Sequence, residues 1–221
     1  MKLVLFDCDG TLIDSAAFIH AGMERAFAEG GQPLPQFNQT KSVIGLSLDL
    51  AIAKLLQRPV DDEIRHLADR YRHHSRTLRE ASEIDEPFYD GILDLLEALL
   101  VRDEVLVGVV TGKSRRNLDK LLERNNLIKR FVTTRTADEC PSKPHPAMVL
   151  ECCADTGMAP EQTIVVGDAI YDMQMAVNAG ARAVGVSWGY AAVDHLHQAG
   201  AHHIIERPDE LAPIVGLEQV R

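Results

Sequence analysis

Short, almost wholly apolar runs that stop on polar residues recur along the chain: LVLFD (3–7), EVLVGVVT (104–111), FVTT (131–134), TIVVGD (163–168), AVGVS (183–187) and HHII (202–205). A run with no polar alternation reads as a strand covered on both faces, which is the habit of parallel sheets. Between these runs, GILDLLEALLVR (91–102), SRRNLDKLLERNNL (114–127), PHPAMVLECCADTG (144–157) and DMQMAVNAG (172–180) carry apolar residues three and four apart, and two of them close on Gly. That spacing predicts helices. Strand and helix in repeated alternation predict an α/β fold, a doubly wound parallel-sheet (Rossmann-like) core.

Residues 15–84 break the alternation. AAFIHAGMERAFAEG, SLDLAIAKLL and DDEIRHLADRYRHHSRTLREA have helical periodicity, Pro33 and Pro35 separate the first from the second, and no strand pattern intervenes. The expected organisation is an α/β core domain built from 1–14 and 85–221, with an all-helical domain at 15–84 inserted after the first strand. PFYDG (87–91) marks the return to the core.

Composition narrows the partners. A net charge of −10 and no extended basic stripe argue against a nucleic-acid partner. No apolar run approaches the ~18 residues of a membrane span, and the N-terminus enters a strand pattern without signal architecture, so the expected location is cytoplasmic with no membrane partner. Cys8, Cys140, Cys152 and Cys153 show no C-x-x-C spacing, which fits a reducing compartment and argues against structural zinc. The chain is expected to act as a monomer or weak homodimer. An acidic protein repels anionic substrates at long range, so a phosphate site here must make its own local positive field.

Ligands of open parallel sheets bind beyond the carboxyl ends of the strands. The first run delivers Asp7 and Asp9 there, the second Thr111 and Gly112, and the fourth Gly167 and Asp168, with Asp172 one helical turn on and Lys143 just before a helix. Carboxylates, a hydroxyl and an ammonium converging in this way suit phosphoryl transfer with Mg²⁺. Hard oxygen ligands hold the cation, cation and lysine neutralise phosphate, and a carboxylate serves as nucleophile.

FDCDGTLIDS, VVTGK, SKPHP and VGDAIYDM, in that order, resemble the four motifs of the haloacid dehalogenase-like hydrolase superfamily. The helical insert resembles the small cap of its phosphoglycolate phosphatase group. The resemblance implies a Mg²⁺-dependent phosphatase acting on a small phosphorylated metabolite through an aspartyl-phosphate. Asp7 would be the nucleophile and Asp9 the acid that protonates the leaving oxygen and then activates water. Thr111 and the N–H of Gly112 would hold phosphoryl oxygens, and Lys143 would stabilise developing charge. Asp7, Asp168 and the carbonyl of Asp9 would ligate the metal, with Asp172 ordering it from nearby. Gly10 then has a physical reason, since the chain must turn sharply beside the phosphate.

This sequence departs from the frequent family pattern at Gly112, where Asn is common, so one side-chain contact to phosphate is missing. In the insert, SVIGLSLD (42–49) lies where relatives carry substrate-selecting residues. It offers Ser42, Gly45 and Ser47, with Lys41 as its one cation.

Other readings compete for the same residues. A phosphosugar mutase shares the nucleophile and acid but needs cations for a second phosphate, which the 42–49 loop lacks. A receiver-like regulatory module has no use for a helical insert, and a silent scaffold has no need of a filled site. Asp14 reads as a helix cap or hinge residue, Asp172 could be only a helix N-terminal charge, and Cys8 faces the core. GVVTGKS resembles a P-loop but has three residues, not four, between its glycines. The histidines of RHH and HLHQAGAHHI lack a complete metal-ligand spacing.

Overall fold

The structure, a computed structural model, describes residues 1–217. Its sheet has six parallel strands: β1 (Lys2–Phe6), β2 (Val105–Thr111), β3 (Thr133–Thr136), β4 (Thr163–Gly167), β5 (Arg182–Val186) and β6 (His203–Ile205). Their order is β3-β2-β1-β4-β5-β6. The chain runs outward from β1 through β2 to β3 and then returns to the other side of β1, so a crevice opens above the carboxyl ends of β1 and β4.

Ten α-helices accompany the strands among the described residues: α1 (Ala16–Glu29), α2 (Phe37–Lys41), α3 (Leu48–Leu55), α4 (Asp62–Ala81), α5 (Ile92–Leu100), α6 (Arg115–Arg124), α7 (Ala147–Thr156), α8 (Ile170–Ala179), α9 (Val193–Gln198) and α10 (Leu211–Val215). Strand alternation sends Val4, Phe6, Val107 and Val166 to one face of the sheet, against Leu95 of α5, Leu118 of α6 and Leu211 of α10. Leu3, Leu5 and Val165 go to the other, against Met148 of α7, Met173 of α8 and Leu196 of α9. Both faces are therefore dry, as the unbroken apolar runs require, and each fully buried Val, Leu or Phe contributes about 1.5–3 kcal/mol.

The inserted domain is all-helical, α1 to α4, and has its own apolar cluster of Met23, Phe27, Ile52, Ile64 and Leu67. Its longest helix, α4, starts where the Asp61 carboxylate accepts the Ile64 N–H, and stops at Ser82, whose φ of 51° is left-handed. The insert joins the core through two short segments laid side by side. Asp14 N–H donates to Pro87 O and Tyr89 N–H to Leu12 O. Asp14 itself accepts from Ala16 N–H and from the Tyr190 hydroxyl, a fixed point at the start of the insert.

Some element boundaries differ from the sequence pattern. The third strand is TTRT at 133–136, two residues later than FVTT. Phe131 is buried in the core ahead of the strand and Val132 is 54% exposed, so the apolar pair marks a packed loop. The strand itself is a polar sheet edge. The third core helix begins at Ala147 and the fourth at Ile170, and α2, α9 and α10 are too short for periodicity to reveal.

Candidate active site

The crevice is built first by the turn after β1. Gly10 has φ +82°, and a Cβ there would lie 2.3 Å from Asp168 Oδ2. Only glycine lets the chain turn away from Asp9 and pass this close to the end of β4. Thr11 donates to Asp168 Oδ1 at 3.1 Å, and the Tyr190 N–H donates to Oδ2 at 2.8 Å, which fixes the Asp168 carboxylate.

Asp7, Asp168 and Asp172 are buried together, each offering an oxygen within 4.8 Å of the others. Lys143, also buried, lies 2.6 Å from Asp7 Oδ1 and 2.6 Å from Asp172 Oδ1. Toward Asp7 the contact is ionic but poorly aligned, and neither Asp7 oxygen has an oriented hydrogen-bond donor. Asp172 is more than a helix-terminal charge. Its other oxygen accepts the Ala169 N–H, so it fixes the start of α8 while holding Lys143.

Burial, then the neighbouring Asp172, holds the Asp7 carboxyl well above the usual carboxylate range, against the pull of Lys143. Burial and Asp172 likewise push Asp168 up to about 7. Burial works against the Lys143 charge, yet Asp172 and Asp7 more than reverse it, so the ammonium is held above the ordinary lysine range. Three carboxylates thus share one ammonium in a dry site, which favours a further cation among them.

On the facing side, the Thr111 hydroxyl accepts the Lys113 N–H at 3.2 Å, which leaves its own proton to donate outward. Asp9 accepts from the Ser15 hydroxyl at 2.5 Å and from Lys113 Nζ at 2.5 Å. Lys113 also reaches Glu86 at 3.4 Å, and Glu86 binds Arg79 of α4 at 2.8 Å. Burial opposes the Lys113 charge, but Asp9 and Glu86 outweigh it and raise its pKa. Ser15, Glu86 and Lys113 were not singled out from sequence. Lys113 stands in the family-like motif VVTGK and in the P-loop decoy GVVTGKS, where neither reading gives it a role of its own; its ammonium is spent on Asp9 and Glu86.

The insert reaches over this site. Gly45 and Ser47 line a cavity of about 840 Å³ together with Asp9, Gly112 and Lys113. Ser42 lies outside that lining, exposed, with its hydroxyl turned to Gln39 O. Gly112 has a local reason to be glycine, because a Cβ there would stand 2.7 Å from Leu46 O and 2.8 Å from Gly45 O. Other bonds tie the insert to the core beside the site: Ser47 N–H to Ser142 Oγ, and the Tyr171 hydroxyl to Ser42 O. Cys8 is fully buried in the core, and no histidine joins a metal-type cluster among the described residues.

A Rossmann-type sheet with a helical insert, and buried carboxylates and a lysine at the strand ends, defines a class of phosphoryl-transfer enzymes. The chain belongs to the haloacid dehalogenase-like hydrolase family, whose model matches residues 4–186. It is 32% identical to a probable phosphatase, IndB, of Dickeya dadantii, over 97% of this chain and 92% of the relative. It is 30% identical to the phosphoglycolate phosphatase of Escherichia coli K12, again over 97% and 92%. Among solved structures, a hydrolase from Pseudomonas syringae superposes with a TM-score of 0.85 at 25% identity, covering 98% of each chain. The protein is a phosphoric monoester hydrolase.

Proposed function

We propose that the protein hydrolyses a small phosphomonoester metabolite with the help of Mg²⁺, through an aspartyl-phosphate formed on Asp7. The observation that carries the reading is the Asp7 carboxylate, fully buried, without an oriented donor, and packed against Asp168 and Asp172 with one lysine between them. Such a donor set fits a hard divalent cation, held by Asp7, Asp168 and the carbonyl of Asp9 with Asp172 nearby. Bound there, the cation would supply charge neutralisation to the phosphoryl group.

The chain's own residues carry the remaining chemistry. Asp7 attacks phosphorus in line while Asp9 gives a proton to the departing oxygen. Thr111 donates its free hydroxyl proton, and Gly112 its N–H, to the phosphoryl oxygens. Lys143 steadies Asp7 and the charge that develops beside it. Asp9, left as a carboxylate, then takes a proton from water, which cleaves the acyl phosphate and restores Asp7. Residues 15–84 act as a cap that excludes bulk water, hinged where residues 12–14 pair with 87–89.

The E. coli relative is named for phosphoglycolate. A cavity of about 840 Å³ leaves room for a larger ester. The test is a panel of phosphorylated metabolites assayed for released phosphate with Mg²⁺ and with excess chelator. Turnover that vanishes in chelator and returns with Mg²⁺ is expected; full activity in chelator would refute the metal assignment.

A further inference from the structure

The cleft between the insert and the core carries charge that the chemistry at Asp7 does not use. Arg72, Arg76 and Arg79 recur at helical spacing along one face of α4, and Arg116, Lys120 and Arg124 along one face of α6; both sets line the same cavity. Arg72 is spent on Asp49 and Asp69, and Arg79 on Glu86. Arg76, Arg116, Lys120 and Arg124 have no carboxylate partner among the described residues, whereas Glu80 and Asp138 are the remaining acids of the lining. Asp138 already accepts the Arg115 N–H.

Arg124, in the last turn, suits the helix dipole, but the rest of the row works against the stability of α6. Like charges four apart destabilise a helix, and Arg116 sits in the first turn, where the helix dipole disfavours a cation. It also runs against the chain's average, a net charge of −10. The row begins beside Gly112 and Lys113 and runs away from them. At about 1.5 Å per residue, Arg116 to Arg124 covers roughly 12 Å of cleft.

Resting on the phosphatase reading, we infer that the substrate bears a second anionic group, a carboxylate or a phosphate, set several ångströms from the scissile phosphate and held between Arg76 of α4 and Arg116 and Lys120 of α6. The selectivity then comes from the long helix of the insert and the helix after β2, not from the 42–49 loop. Because the two cationic faces belong to insert and core, the distal anion also draws them together, so binding favours the closed cleft.

The test uses p-nitrophenyl phosphate turnover with three competitors: glucose 6-phosphate, which is neutral beyond its phosphate; 6-phosphogluconate, with a distal carboxylate; and glucose 1,6-bisphosphate, with a distal phosphate. The wild-type protein is expected to bind at least one of the two distal acids about tenfold more tightly than glucose 6-phosphate, and the arm that wins names the anion. Arg76→Gln and Arg116→Gln are each expected to reduce that preference about two- to fivefold, the range of exposed ion pairs, and added salt to erode it. Both side chains are exposed, and unchanged melting temperatures would verify that the variants are folded. A wild-type protein that ranks glucose 6-phosphate equal to or above both acids, that none of the three inhibits, or whose preference survives both substitutions, overturns the inference and leaves the phosphatase standing. Absence of aryl phosphate turnover with Mg²⁺ overturns the phosphatase reading itself.

Discussion

Lys113 gives the sharpest test of how the site is held together. Its side chain, Asp9 and Glu86 are all nearly buried, at 9%, 9% and 6% exposure, and the ammonium bridges the two carboxylates. Lys113→Met keeps the stem and removes the charge. Glu86 retains Arg79, but Asp9 is left buried with only the Ser15 hydroxyl. Stranding one member of a buried ion pair costs about 3–5 kcal/mol. For a chain of this size that lowers the melting temperature by about 6–20 °C, at roughly 2–4 °C per kcal/mol. Asp9→Asn removes the stranded charge, so the double variant should recover about 0.5–3 kcal/mol relative to additivity. Thermal melts and urea titrations of wild type, both single variants and the double provide the cycle. A melting temperature within about 2 °C of wild type for Lys113→Met, or a strictly additive double, would refute the reasoning that Lys113 holds Asp9 electrostatically.

Other expectations follow from the same geometry. Asp9→Asn should slow turnover on the order of 10²- to 10⁴-fold, as for a lost general acid/base, measured as phosphate release from an aryl ester; a rate near wild type would place the acid elsewhere. Gly112→Ala puts a Cβ 2.7 Å from Leu46 O, a backbone atom that cannot swing aside, so the 45–46 loop must lift. A loss of about 1–3 kcal/mol or a raised KM is expected, with a larger radius in solution scattering, and an unaltered variant would contradict the close approach. In chelator, stability should fall as pH rises between about 4 and 7. The folded state keeps a proton on Asp168, pushed up to about 7, that the unfolded chain loses near 3.8, so this stabilisation is complete below 3.8 and gone above 7. The slope for one proton is at most about 1.4 kcal/mol per pH unit. Mg²⁺ should flatten it, and a level metal-free profile in thermal melts would tell against the buried acidic cluster.

Much of this site could be read from the chain because its parts stand at strand ends, where an apolar run and the polar residue that stops it are adjacent in sequence. Asp7, Thr111 and Asp168 were found in that way, and the parallel sheet follows from the same runs. Lys143 and Asp172 were placed near the site by their positions, but their mutual contact at 2.6 Å joins residues far apart in the chain and has no local signal. The network from Asp9 through Lys113 and Glu86 to Arg79 is of the same kind, since it crosses from core to insert. The 42–49 loop does not by itself count against a mutase. Cations absent from that loop are present on α4 and α6, where helical spacing alone reads as a solvated face. What favours a hydrolase over a mutase is the set of phosphatases to which the chain is similar. Gly112 likewise looked like a lost contact, and its reason, the carbonyls of Gly45 and Leu46, appears only once the insert is folded over it.

The central claim is that the phosphoryl group passes through Asp7. The direct measurement is acid quench of the Asp9→Asn variant during turnover of an aryl phosphate with Mg²⁺, followed by peptide mass spectrometry. The slowed second step should leave one phosphoryl group on the peptide containing Asp7, and none when Asp7→Asn is added. Phosphate on another residue, or turnover with no phosphorylated protein at any quench time and undiminished in Asp7→Asn, would contradict the account.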